Sequence, residues 1–347
     1  MSDSARIGAV ATAVPDHCLH QRDVAAEAGL FFGQAFGASE RLAAIYENAA
    51  IETRYSCVPI DWYREPHDFP DKNTLYLDQA AALLAEVAER LVADAGLAMQ
   101  DIDGLVVVSS TGIATPSLDA LLIERLGFRP DVERLPVFGL GCAGGVIGLI
   151  QTAQLAAARP GTRYLCLVVE LCGLTFRARD RTKSNIVATA LFGDGAGGAL
   201  IGTELDGPRI GAGGSHTWPG SLDVMGWDLR ADGLAVIFSR DIPHIVRTKL
   251  PPALAHFLNK NDLELGLFDQ FLAHPGGAKV VDALEEVFGL EAGRMTHSRQ
   301  VLRDYGNMSA ATILFVLERA VRAGDHGRAL LSALGPGFTA AMLVVED

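Results

Sequence analysis

The sequence predicts a duplicated α/β fold, in which two copies of one unit stack as helix–sheet–helix–sheet–helix layers. Three observations predict it. Short apolar strands alternate with amphipathic helices along the chain, with glycine-rich turns between them. Similar residues recur at one offset: Cys142 and Asn307, Arg163 and Arg328, and Ser109 and His274 are each 165 positions apart. Hydrophobic residues make up 49% of the 347 positions and charged residues 20%, enough apolar material for a large core.

The elements follow in order. Ile7–Val14 reads as a first strand. Asp61–Asn73 (DWYREPHDFPDKN) is polar and aromatic and reads as an extended surface loop. Tyr76–Ala95 carries Leu77, Ala81, Leu84, Val87, Ala88 and Leu91 at helical spacing. LVVVSS at 105–110 is a run apolar enough for a strand buried on both faces. Val137–Leu140 leads into the turn GCAGG and the helix VIGLIQTAQLAAA, and Arg163–Glu170 is another buried strand. The second half repeats the order with a strand at Phe271–His274 and a helix at Ala278–Phe288. YGNMSAA at 305–311 then opens the helix ATILFVLERAVR, and Arg328–Leu334 is again a strand. Gly202–Ser221, rich in glycine and proline, is the best boundary and divides the chain into halves 1–205 and 206–347.

A formal charge of −13 makes nucleic acid a poor partner. Five cysteines without a CxxC pair signal neither a disulfide scaffold nor a zinc site. The N-terminus lacks the features of a signal peptide, and no stretch reaches the ~18 apolar residues of a membrane helix. A reduced, cytoplasmic compartment is expected.

Packing the two units about their symmetry would bring equivalent strand ends to one centre: Cys142, His274, Asn307 and the loop Ser109–Thr111. Cys142 stands at a glycine-rich elbow between strand and helix, where the positive helix end and a nearby imidazolium would favour a thiolate. Cys166 and Cys172 read as structural. An imidazole N–H and a neutral carboxamide suit stabilisation of an enolate or tetrahedral oxyanion. Taken singly, Asn307 reads as a helix cap and His274 as a core residue; the shared offset with Cys142 favours a site.

GCAGG at 141–145, LFGDGAGGALIG at 191–202, AHPGG at 273–277, YGNMSAA at 305–311 and GPGFT at 335–339 resemble, in order and spacing, the motifs of chalcone-synthase-like (type III polyketide synthase) enzymes. The resemblance spans nearly the whole chain. It implies a thiolase-like fold, a homodimer, acyl-CoA starters, malonyl-CoA extenders and no tightly bound cofactor. It implies Cys142 as nucleophile, His274 and Asn307 as decarboxylation and oxyanion residues, and Phe192 as an aromatic wall of the reacting centre. Ser110, Thr111, Gly276 and Gly277 fall among its substrate-binding positions. Val236 stands where plant members carry a bulky Phe, which implies a wider tunnel and an aliphatic starter. Thr115 falls where they present a Met to the neighbouring subunit, with a cis bond expected at Thr115–Pro116, and Trp227 replaces a small Gly. MGWDLRADG at 225–233 resembles bacterial alkylpyrone and alkylresorcinol synthases. Of the family's basic cluster for CoA only Arg41 remains, with Ala44 and Asn48 at the other places; Arg54, Arg209 or Arg294 are candidate substitutes.

Other condensing enzymes fit less well. Thiolases need a second cysteine, and none follows Cys172. Elongating ketoacyl synthases carry a histidine at the place of Asn307. Initiating 3-ketoacyl-carrier-protein synthases share the trio but have Gln-Ala-Asn where this chain has Pro275-Gly276-Gly277. They are the first alternative, and a thioester hydrolase or acyltransferase relative that uses Cys142 without condensation is the second.

Overall fold

The computed structural model describes residues 4–36, 39–325 and 327–347. Seven strands lie in the first half: β1 (Arg6–Ala13), β2 (His17–His20), β3 (Thr53–Ser56), β4 (Gly104–Val108), β5 (Glu133–Val137), β6 (Arg163–Leu171) and β7 (Asp194–Gly202). Six follow: β8 (Arg209–Thr217), β9 (Met225–Arg230), β10 (Gly233–Phe238), β11 (Gln270–Ala273), β12 (Arg328–Gly335) and β13 (Thr339–Glu346).

Nine strands form one sheet in the order β11-β12-β13-β8-β1-β7-β6-β4-β5. From its middle the order runs β1-β7-β6-β4 one way and β8-β13-β12-β11 the other. In each arm the second strand is antiparallel to both neighbours. The next two strands pair in parallel. The arms are joined through a single pairing, Arg6 with Arg209. This repeated topology is what the common offset predicts. β5 has no counterpart, because the positions 165 residues beyond it fall in the helix Thr296–Tyr305.

Each arm is covered on both faces, which gives five layers. Helix Phe69–Asp94 packs outside the first arm, and helices Ile242–Lys260 and Ala278–Val287 outside the second. Gly144–Ala158 and Thr312–Ala323 fill the layer between the arms. β4 shows why its sequence is uniformly apolar: Val106 and Val108 face the central helices, while Leu105 and Val107 face the outer one. The same double burial explains Gly141–Ala158, which by length and composition could cross a membrane, contrary to the sequence expectation. Its apolar side chains Val146, Leu149, Ile150 and Ala153 lie in the central core, and a helix with neighbours all round is apolar all round.

Three boundaries differ from expectation. The supposed loop Asp61–Asn73 is helical at both ends: Ile60–Arg64 forms a 3₁₀ helix, and Phe69–Asp94 begins where Asp68 caps it by accepting from Asp71 N–H, with Pro70 in the first turn. The strand before the GCAGG turn is Glu133–Val137 and not Val137–Leu140. The middle of the glycine-rich run Gly202–Ser221 is not a linker but β8. Its glycines serve packing: a Cβ on Gly213 would lie 2.8 Å from Ile150 of the central helix.

Candidate active site

Each central helix is preceded by one short 3₁₀ turn, Gly141–Ala143 and Ser309–Ala311, and the two turns meet where the arms adjoin. Close approach there depends on missing side chains. A Cβ on Gly145 would fall 2.3 Å from the Ala310 carbonyl, and one on Gly335 would fall 2.7 Å from Ala143 N.

This contact links residues distant in sequence. Cys142 is buried, and its Sγ donates to Ser309 Oγ at 3.6 Å. Ser309 N–H donates to Asn307 Oδ1 at 2.8 Å, and Asn307 Nδ2 donates to the Gly276 carbonyl at 3.2 Å. Asn307 is also fixed through its backbone, donating to Leu191 O and accepting from Gly193 N–H, so that it flanks Phe192. Gly306, at φ +70°, makes this possible, since a side chain there would press on Leu191 O. Gly276 belongs to the turn that follows β11, two residues beyond His274. The sulfur, the carboxamide and the turn carrying the imidazole thus form one hydrogen-bonded path through Ser309.

Burial acts against the thiolate that the helix end and an imidazolium would favour. Burial pushes the Cys142 thiol up to about 12, against a smaller lowering by its hydrogen bond to Ser309. Burial lowers His274 to about 3. Burial thus favours the uncharged form of both groups, and neither shift carries a contribution from the other residue. Neither ring nitrogen of His274 has a hydrogen-bond partner among the described residues.

Cys142 opens into a cavity walled by Phe192, Trp227, Val236, Ser309 and Pro336. Trp227 and Val236 face each other across the β9–β10 hairpin, and Trp227 packs edge-on against Phe192 at 6.1 Å. Phe192 and Val236 also line a larger, mostly apolar chamber bounded by Val24, Ala28, Phe31, Phe176 and Cys172. They therefore form the partition between the two spaces. Cys172, read as structural from sequence, faces this chamber.

Other expected positions are placed differently. Ser110 donates to Glu170 Oε1 through its hydroxyl and to Oε2 through its N–H, and Thr111 Oγ1 accepts from Leu171 N–H. These hydroxyls are committed to a network around Glu170, whose buried carboxyl is raised above its ordinary value by desolvation. Gly277 packs on Leu191. Thr115 is exposed, and its bond to Pro116 is cis, as expected. The side chain of Arg41 lies outside the described residues. Arg54 is no CoA ligand: it is buried and donates to the carbonyls of Thr189, Ala190 and Phe192, holding the end of helix Lys183–Leu191 and thereby Phe192. Arg209 is paired with Glu346. Sequence reasoning passed over Glu170 and Ser309. A carboxylate ending the apolar run RYLCLVVE was the signal for one, and a hydroxyl two places beyond Asn307 for the other.

The doubled topology, the five layers and the paired turns define a thiolase-like fold of the condensing-enzyme, acyltransferase class. The chain belongs to the chalcone and stilbene synthase family, the type III polyketide synthases. Residues 2–205 match "Chalcone and stilbene synthases, N-terminal domain" and residues 213–347 match the corresponding C-terminal domain. A 1,3,6,8-tetrahydroxynaphthalene synthase of Streptomyces peucetius is 36% identical, over 98% of this chain and 92% of its own. A 3,5-dihydroxyphenylacetyl-CoA synthase of Amycolatopsis balhimycina is 31% identical, over 88% and 85%. The crystal structure of 1,3,6,8-tetrahydroxynaphthalene synthase from Streptomyces coelicolor superposes with a TM-score of 0.93 at 28% identity, over 98% of both chains.

Proposed function

We propose that this chain loads an acyl-CoA starter on Cys142 and extends it by repeated decarboxylative Claisen condensation with malonyl-CoA. A pyrone or resorcinol-type product then forms by cyclisation. The observation that carries the reading is the path from the Cys142 sulfur through Ser309 to Asn307 and the His274 turn, with substrate space on both sides of Phe192.

In loading, neutral His274 takes the thiol proton as Cys142 sulfur attacks the starter carbonyl. The C–S bond to CoA breaks, and the proton leaves with the CoA thiolate. Malonyl-CoA then loses CO2, and the electron pair of the breaking C–C bond enters an enolate. The His274 N–H and Asn307 Nδ2 stabilise its oxygen; aimed, water-excluded donors of this kind are worth ~10²–10³ in rate each. The enolate carbon attacks the acyl carbon on Cys142, and the sulfur leaves as thiolate and recovers a proton. Nδ2 must release the Gly276 carbonyl, or share its second proton, to serve this oxygen.

An aliphatic starter is favoured by the mostly apolar chamber beyond Phe192 and Val236, whose polar side chains Glu27, Arg54, Ser56, Tyr63 and Asn185 already bond within the protein. A second reading, priming by malonyl-CoA alone to give a naphthalene product, is favoured by the tetrahydroxynaphthalene synthase relative. The enzyme is proposed to be cytoplasmic, to act on CoA thioesters without a tightly bound cofactor, and to comprise halves 1–205 and 206–347. Homodimer formation is supported by β5, an edge strand flanked by exposed Leu135, Phe138 and Ile113.

The test is incubation with malonyl-CoA and acyl-CoAs of graded length, followed by mass analysis. Tri- and tetraketide pyrones or resorcinols are expected with long aliphatic starters, and Cys142→Ala should load none of them. Product from malonyl-CoA alone would select the second reading. No condensation product from any starter would end both.

A further inference from the structure

Behind His274 lies a small cavity lined by Leu250, Leu284, Leu334, Met342 and Ser332. It offers about 10 Å³ to the centre of a water molecule, close to the ~10–15 Å³ that one buried water needs. Its walls are apolar except at two places, the imidazole and the Ser332 hydroxyl. Both residues are buried, 4% and 6% exposed, and neither the ring nitrogens nor Ser332 Oγ has a hydrogen-bond partner among the described residues. Their relative position is fixed by the sheet. Ser332 pairs with Ala273 in the parallel β11–β12 ladder, and His274 N–H donates to Ser332 O at 2.8 Å. The Nε2 edge of the ring is turned toward Gly276, where an added Cβ would lie 3.8 Å from Nε2. Gly276 O is the acceptor of Asn307, so Nε2 lies on the side of the carboxamide and Nδ1 is left for the cavity.

We propose that Ser332 is a positioning residue for His274, acting through one buried water that bridges its hydroxyl to Nδ1. Unpartnered buried polar atoms are costly to leave without a hydrogen bond, and a single water satisfies both at this spot. The chemistry of the partner matters, and here the inference rests on the condensing role of His274. That role needs Nε2 bare when it takes the Cys142 proton and protonated when it donates to the enolate. A carboxylate behind the ring would hold the proton on Nδ1 and permit only the first. Water and a hydroxyl each donate and accept, so Nδ1 finds a partner in either tautomer. Ser332 supports the switch without entering it: no bond to it forms or breaks.

The experiment compares the parent with Ser332→Ala and Ser332→Thr, by malonyl-CoA decarboxylation kinetics and by crystallography at a resolution that shows waters. The parent should show density between Nδ1 and Ser332 Oγ. Ser332→Ala should lose about ten- to a hundredfold in kcat with KM unchanged, less than deletion of an oxyanion donor. Its melting temperature should stay close to the parent's, so that the loss of kcat reads positioning of the ring and not unfolding. Ser332→Thr should recover most of the rate. Parent kcat in Ser332→Ala, or Ser332 Oγ bound to a backbone carbonyl with no water beside Nδ1, would overturn the proposal. If the parent decarboxylates no malonyl-CoA, the condensing role fails, and the bridging density alone decides whether Ser332 positions the ring.

Discussion

Burial holds His274 neutral down to about pH 3 and keeps the Cys142 proton on sulfur up to about pH 12. At the scale of the residue, burial therefore favours the uncharged form of both groups. The depressed histidine carries a consequence for stability. Its folded value lies below the ordinary 6.5, so its contribution is complete above that pH and is lost as pH falls toward 3, because the unfolded chain takes up the proton first. Asp194 acts oppositely. Burial raises it from 3.8 to about 6, so its contribution is present below 3.8 and lost as pH rises through 6. A His274→Leu variant keeps Asp194 and isolates the histidine. Melting temperatures between pH 3 and 7 should show the parent losing ground relative to this variant as pH drops below 6.5. Parallel curves for the two proteins would refute the assignment.

At the scale of the element, the β9–β10 hairpin sets the substrate space. Val236 and Trp227 are cross-strand partners, and both face Phe192, so a larger residue on either strand closes the partition. Val236→Phe is expected to shift the starter preference toward shorter acyl chains by about tenfold or more in relative kcat/KM, since a hydrophobic pocket separates ligands by ~1–3 kcal/mol per methylene at most. Competition between a short and a long acyl-CoA reads this directly; an unchanged product ratio would place the acyl chain elsewhere. The hairpin was not legible from alternation, because MGWDLR and GLAVIF are mostly half-buried and neither alternates polar with apolar residues. β4 and β6 were legible because burial on both sides demands uninterrupted apolar runs, and the central helices because their apolar residues recur at helical spacing. β8 was misread because its glycines report close neighbours, Ile150 at Gly213, Val344 at Gly211 and Phe257 at Gly214, and not a turn. The positions of Cys142, His274 and Asn307 were legible through the offset, whereas the roles of Glu170, Ser309 and Ser332 depend on contacts across the sheet that spacing does not carry.

At the scale of the molecule, the two arms of the sheet end differently. The second arm ends at β11, beside helix Thr296–Tyr305, whose Ser298 bonds to Ala273 on both its N–H and its carbonyl. The first arm ends at β5, whose outer edge has no partner strand among the described residues and whose neighbours Phe138 and Ile113 are 62% and 45% exposed. An exposed edge rimmed with apolar side chains is open to pairing with another chain; β5 carries Pro136, which withholds one N–H, and Arg134, which is engaged by Asp119 and Ser117. The loop with Thr115 and Pro116 borders the same edge, so antiparallel pairing of two β5 strands would bring each loop against the partner. Sedimentation of the parent should therefore give about twice the 36.8 kDa chain mass. Leu135→Asp combined with Phe138→Asp should sediment as a monomer, because two desolvated carboxylates at a two-fold contact would face their own copies. Retention of the dimer in that double variant would move the interface away from β5 and leave the exposed loop at Thr115 without a role in the neighbouring subunit.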